Sequence, residues 1–161
     1  MPFMDADASA LLARLIRGVR VAALGTLRQG APMVSMVAFL PEADFGSICL
    51  RVSRLAWHTQ DMLADPRVSL SITEQDDGRA DPQTLARVAL RGEALALAGE
   101  GEAFDRLKAA WLERFPASAV TFALADFSFW HVVPRDARFV AGLGRTFNLS
   151  AEALRRAAIS A

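Results

Sequence analysis

The stretch L50-R-V-S-R-L-A-W-H-T-Q-D-M-L-A-D-P-R-V-S-L70 decides how the rest of the chain is read. An apolar run ends at Ser53, Leu55 to Ala64 fits a short helix, Asp65-Pro66 stops it, and a second apolar run begins at Val68. Ser53, Arg54, His58 and Thr59 therefore gather where a strand gives way to a helix. Helix N-termini offer free N–H groups and a partial positive charge. The two hydroxyls, the imidazole and a guanidinium from Arg51 or Arg54 would suit a phosphate. A plainer reading has Ser53 as a helix cap and His58 and Arg54 as solvated residues.

Working outward, an amphipathic helix is expected over Ala6 to Arg17, from the spacing of Leu11, Leu12, Leu15 and Ile16, with Gly18 as its stop. Val19 to Leu27 and Met33 to Leu40 read as a hairpin around Gly30. Ser47 to Val52 and Val68 to Thr73 read as the third and fourth strands. The polar stretch from Glu74 to Gln83 reads as an exposed loop. Leu85 to Ala98 reads as a long strand bent or bulged at Gly92. Glu102 to Phe115 is the clearest helix, with Phe104, Leu107, Trp111, Leu112 and Phe115 on one stripe. Asp126 to Gly144 predicts two strands separated near Pro134 to Asp136. Ser150 caps a last helix reaching residue 158. The early links are too short for parallel crossovers, so the sheet should be antiparallel. Seven strands with few helices predict a closed or partly closed β-barrel with peripheral helices, one domain over residues 1–161.

The 161 residues carry 18 Lys+Arg against 18 Asp+Glu. That balance gives no electrostatic argument for nucleic acid or a membrane surface. Cys49 is the lone cysteine and excludes an internal disulfide. With acidic residues and Arg14 and Arg17 where an export signal would be basic and then apolar, a cytoplasmic chain is expected. No glycine-rich nucleotide loop, C-x-x-C or H-E-x-x-H occurs. Two histidines and one cysteine far apart in sequence match no metal-ligand spacing, and no metal is expected. Ser53, His58 and Asp61 form a catalytic triad only on paper. His131 reads as a hydrogen-bonded core histidine on the strand face of Phe127, Phe129 and Val133. Trp57 and Trp111 read as packing residues.

The segments LGTLRQGAPMVSMVAF, LRVSRLAWHTQDMLADPRVSL, RVALRGEA, LADFSFWHVVP and FVAGLGRTFNL occur in the order of a known family. The chain resembles the FMN-binding split β-barrel proteins related to pyridoxamine 5′-phosphate oxidase, closest to the HugZ-type haem-utilisation proteins. The resemblance implies FMN as cofactor. It places Met33, Val34, Ser35 and Met36 along the flavin, Val52, Ser53, His58 and Thr59 at the ribityl and phosphate end, and Arg145 as a late reach to the flavin. It also implies a homodimer sharing its flavin sites, and the apolar strands Val19 to Leu27 and Leu85 to Ala98 offer the surface for such an interface. PMVSMV has no basic residue, which argues against pyridoxamine phosphate as substrate. The tail after Gly144 has no histidine, unlike haem-binding HugZ-type proteins. The leading expectation is a flavin-dependent oxidoreductase acting on a small molecule. The alternatives are a haem-binding or haem-utilisation protein without flavin, and a ligand-free barrel acting through its dimer surface.

Overall fold

The computed structural model of the protein describes residues 3–160. Helix α1 spans Ala6–Gly18, and the Asp5 carboxylate accepts the Ala8 amide at 2.8 Å to cap it. Strands β1 (Val21–Arg28), β2 (Ala31–Pro41) and β3 (Ile48–Ser53) follow, then α2 (Trp57–Ala64), β4 (Arg67–Thr73) and β5 (Arg87–Ala96). Helix α3 (Glu102–Arg114), a 3₁₀ segment Pro116–Ala123, β6 (Phe127–Val140), β7 (Thr146–Ser150) and α4 (Ala151–Ala157) complete the order.

All strand pairs are antiparallel. The hydrogen-bonded order is β3-β2-β1-β4-β5-β6, and β6 returns to β3, closing a six-stranded barrel. β7 continues the sheet beside the far half of β6. Inward-facing residues alternate along each strand as a barrel requires. Leu24, Phe39, Leu50, Leu70, Leu90, Trp130, Val132 and Phe139 fill the interior together with Leu12 and Ile16 of α1. Burying each such side chain favours folding by about 1.5–3 kcal/mol, which makes this interior the main source of stability.

One expectation needs correcting. The segment after Asp126 does not form two strands split at Pro134: β6 is continuous for 14 residues. Its near half pairs with β3 and its far half with β7, while β5 runs along both. Pro134 is accommodated because it faces Gly92, where the β5–β6 register shifts. Proline has no N–H for the ladder, and a bulge is where none is needed. Gly92 is required by close approach, since a Cβ there would lie 2.1 Å from the Val133 carbonyl oxygen. The residues expected as the second strand are the far half of β6, and a further strand not expected from sequence, Thr146–Ser150, follows the Gly142–Gly144 turn.

A second, smaller apolar cluster lies outside the barrel wall. Leu107 and Trp111 of α3 pack on Cys49 and Phe129, with Phe104, Phe115 and Phe122 at the margin. The α3 stripe thus covers the outer face of β3 and β6. Its position is fixed by Arg114, whose guanidinium donates to the carbonyls of Phe39, Arg17 and Val19.

Candidate functional site

Helix α2 lies against β1 and β2, and its attachment is polar. Asp61, 4% exposed, accepts the Thr26 hydroxyl and the Arg28 guanidinium, each at 2.8 Å. The same guanidinium stacks on the Trp57 ring at 4.0 Å. Trp57 is 57% exposed, so it is a platform for Arg28 and not the packing residue expected from sequence. The Thr59 hydroxyl donates to the Ser53 carbonyl at 2.6 Å and is buried. Ser53 accepts the Leu55 amide at 3.1 Å and donates to Asp126 at 3.0 Å. These bonds leave the paper triad of Ser53, His58 and Asp61 unassembled, since Ser53 and Asp61 hold other partners.

His58 and Ser35 are brought together: Nδ1 of His58 lies 3.1 Å from the Ser35 hydroxyl, joining α2 to β2. Burial holds the imidazole below its ordinary pKa, partly offset by the Asp61 carboxylate. At neutral pH the ring is therefore neutral. In the tautomer whose Nδ1–H donates to Ser35, Nε2 carries the lone pair. Leu55, Trp57 and Leu63 are exposed on and before α2.

The remaining sequence-marked residues divide. Met33 is half-buried on the β2 face of Ser35, whereas Val34 and Met36 alternate onto the outer face and are 65% and 70% exposed. Val52 points into the barrel core. Arg145 lies at the β6–β7 turn, where it donates to Asp5 at 2.7 Å. Arg51 donates to Thr121 and stacks on Phe122 at 3.6 Å. With Arg54, Leu124 and Phe127 it lines a cavity of about 250 Å³. The 3₁₀ segment that supplies Thr121 and Phe122 had no periodic signal in the sequence. His131 bonds Ser47 at 2.7 Å and lies 3.3 Å from the Cys49 sulfur, half-buried as a core histidine should be. Burial, reinforced by the Glu42 carboxylate, pushes the Cys49 thiol up to about 12, so it stays protonated at neutral pH.

The closed antiparallel six-stranded barrel with helices outside it places the protein among the split-barrel proteins of the pyridoxamine 5′-phosphate oxidase type. Within that class the chain belongs to the CREG β-barrel family, whose model matches residues 4–153. A curated relative, the chloroplastic non-canonical heme oxygenase HOZ of Arabidopsis thaliana, is 37% identical over 124 residues, covering 77% of this chain and 36% of that protein. The chain thus spans about a third of that relative's length. A heme-binding protein from Mycobacterium smegmatis superposes with a TM-score of 0.79 at 31% identity, over 92% of this chain and 60% of that one. Campylobacter jejuni ChuZ shares the fold, with a TM-score of 0.81 at 19% identity over 93% of this chain and 61% of that one.

Proposed function

We propose that the protein binds haem, with His58 as the iron ligand and the apolar surface of α2 against the ring. The observation that carries this reading is the His58–Ser35 pair. A ligating histidine needs its second nitrogen fixed by a hydrogen-bonding partner, which sets the tautomer and aims the first. Ser35 does this from a barrel strand, and desolvation keeps the imidazole unprotonated. The other histidine, His131, is already engaged by Ser47 and Cys49. Both relatives described above at more than 30% identity are named for heme, which supports the same choice.

The haem alternative therefore replaces FMN as the leading reading. The proposed phosphate end is poorly furnished for an anion. Thr59 is spent on the Ser53 carbonyl, and Ser53 holds the Asp126 carboxylate, whose charge opposes a phosphate. Bound haem would supply an iron centre capable of redox chemistry. This chain's part is to bind and orient it through His58, Ser35 and the α2 surface.

A second copy of the chain would complete the site. The outward face of β1, β4 and β5 presents Ala23, Gly25, Ser69, Ser71 and Ala89, edged by exposed Val21, Val34 and Met36. Small side chains let two sheets approach closely, and an obligate interface usually buries on the order of 2,000 Å² or more. A two-fold dimer would then form two equivalent sites.

Titration of the purified chain with haem and, separately, with FMN tests this. A saturable haem spectrum at one per chain, with FMN fluorescence left unquenched, is expected. Tight FMN quenching with no change in the haem spectrum would overturn it. Sedimentation should give a dimer, and a monomer that still holds haem tightly would refute the shared site.

A further inference from the structure

Away from the α2 pocket, three ligand-type side chains converge on the outer barrel wall. Cys49 on β3 and His131 on β6 are direct cross-strand partners, although far apart in sequence. Glu42, just past the end of β2, reaches the same point. The Cys49 sulfur lies 3.3 Å from Nδ1 of His131 and 3.7 Å from Oε1 of Glu42, and the three donor atoms fall within 4.8 Å of one another. A tetrahedral zinc ion with Zn–S of ~2.3 Å and Zn–N of ~2.0–2.1 Å sets its sulfur and nitrogen ligands ~3.6 Å apart. The protein pair is therefore already at ligand spacing. The Glu42 carboxylate, 24% exposed, supplies the third donor within the same small volume.

We propose that Glu42, Cys49 and His131 form a zinc site on the barrel wall, with a fourth position open to solvent beside Ser47. The donor set of one sulfur, one nitrogen and one oxygen suits Zn(II) better than the hard cations, which take oxygen alone. Three protein ligands and an open fourth position are the pattern of a reactive zinc site and not of a closed structural one. Ser47 Oγ, 2.7 Å from Nδ1 of His131 and 3.9 Å from the Cys49 sulfur, can fill the fourth position or hold a water there. Leu107 and Trp111 exclude solvent from the sulfur side, leaving Glu42 and His131 as the approach. Without metal, Arg106 of α3 neutralises Glu42 at 3.2 Å, and this exposed guanidinium must swing aside as zinc enters. The thiol proton leaves to solvent as the Zn–S bond forms.

Cobalt(II) titration of the chelator-stripped full chain, followed by zinc competition, tests the proposal without reference to haem. One cobalt per chain with a thiolate-to-cobalt charge-transfer band is expected, and zinc should displace it. Cys49→Ser should abolish the band, and His131→Ala should weaken binding by more than the ~100-fold upper range seen for outer-shell changes. Arg106→Ala should tighten binding several-fold, since it removes a competing cation. Absence of the band, or wild-type affinity in Cys49→Ser and His131→Ala, would overturn the site as adventitious binding. Should either variant melt early, Glu42→Gln keeps the size and hydrogen-bonding shape of the residue it replaces. Its failure to lower affinity by on the order of 100-fold would be equally decisive.

Discussion

The two histidines of this chain sit in opposite kinds of surroundings. His58 has one hydrogen-bonding partner, Ser35, and sits on a helix that carries the exposed side chains of Trp57 and Leu63. His131 has Ser47, Cys49 and Glu42 around it, and Leu107 and Trp111 of α3 cover the neighbouring Cys49 and Phe129. The first arrangement pairs one imidazole with one hydroxyl, which is what the proposed haem ligand asks of a histidine. The second gathers several donors around a point, as a small cation requires. The difference lies in what the supporting helices contribute. α2 is tethered by a polar network and leaves its outer side bare, whereas α3 lays its apolar stripe on the barrel wall and closes it.

The largest expected effect follows from that difference in attachment. Arg114 holds α3 by donating to three backbone carbonyls, so Arg114→Ala leaves those acceptors unpartnered. Charged hydrogen bonds contribute about 1.5–3 kcal/mol each and do not add fully. A loss of about 3 kcal/mol in urea unfolding is expected, together with exposure of the His131 cluster and unchanged affinity at His58 once allowance is made for the unfolded fraction. The reciprocal change comes next. Asp61→Ala removes the acceptor shared by Thr26 and Arg28 and should cost about 2 kcal/mol. It should weaken haem binding and leave cobalt binding intact. If both variants affect both ligands alike, the two regions are not independent.

Ser35→Ala sharpens the comparison without disturbing either helix. Loss of a hydrogen bond to a ligating histidine typically costs 10- to 100-fold in affinity. A drop of about tenfold in haem affinity, with normal stability, is expected from equilibrium titration. The smallest effect is on pH dependence. Burial places the folded pKa of His58 below its unfolded value near 6.5. Between those two values the unfolded chain binds more protons, so stability falls as pH drops through about 6.5 and levels off below the folded value. His58→Gln should remove that part of the decline, seen as a smaller shift in urea midpoint between about pH 7.5 and 5.5.

The main outline of this molecule was legible in the sequence. The alternation along Val68 to Thr73 and the stripe of α3 report burial directly, and Gly92 announced its bulge. The reading failed where a residue's role depends on a partner distant in the chain. Pro134 looks like a strand break until Gly92 is set opposite it. Arg114 looks like a solvated residue off the α3 stripe, yet it reaches three carbonyls across the fold. Trp57 looks like a packing residue by its type, yet it is exposed and stacks under the Arg28 guanidinium. At the candidate site, periodicity could place Ser35 and His58 on their elements, whereas their contact across 23 residues is a product of the barrel. The Cys49–His131 pairing was hidden for the same reason, since sequence separation says nothing of cross-strand register.

The account rests on His58 as the residue that takes up haem, and one comparison of spectra tests it most directly. Wild type, His58→Ala and His131→Ala would be titrated with haem under the same conditions, following the Soret absorbance. Histidine-ligated haem in wild type and in His131→Ala, with the histidine-ligated spectrum lost and affinity down on the order of 100-fold or more in His58→Ala, is the predicted result. An unchanged spectrum and affinity in His58→Ala, or their loss in His131→Ala alone, would contradict it.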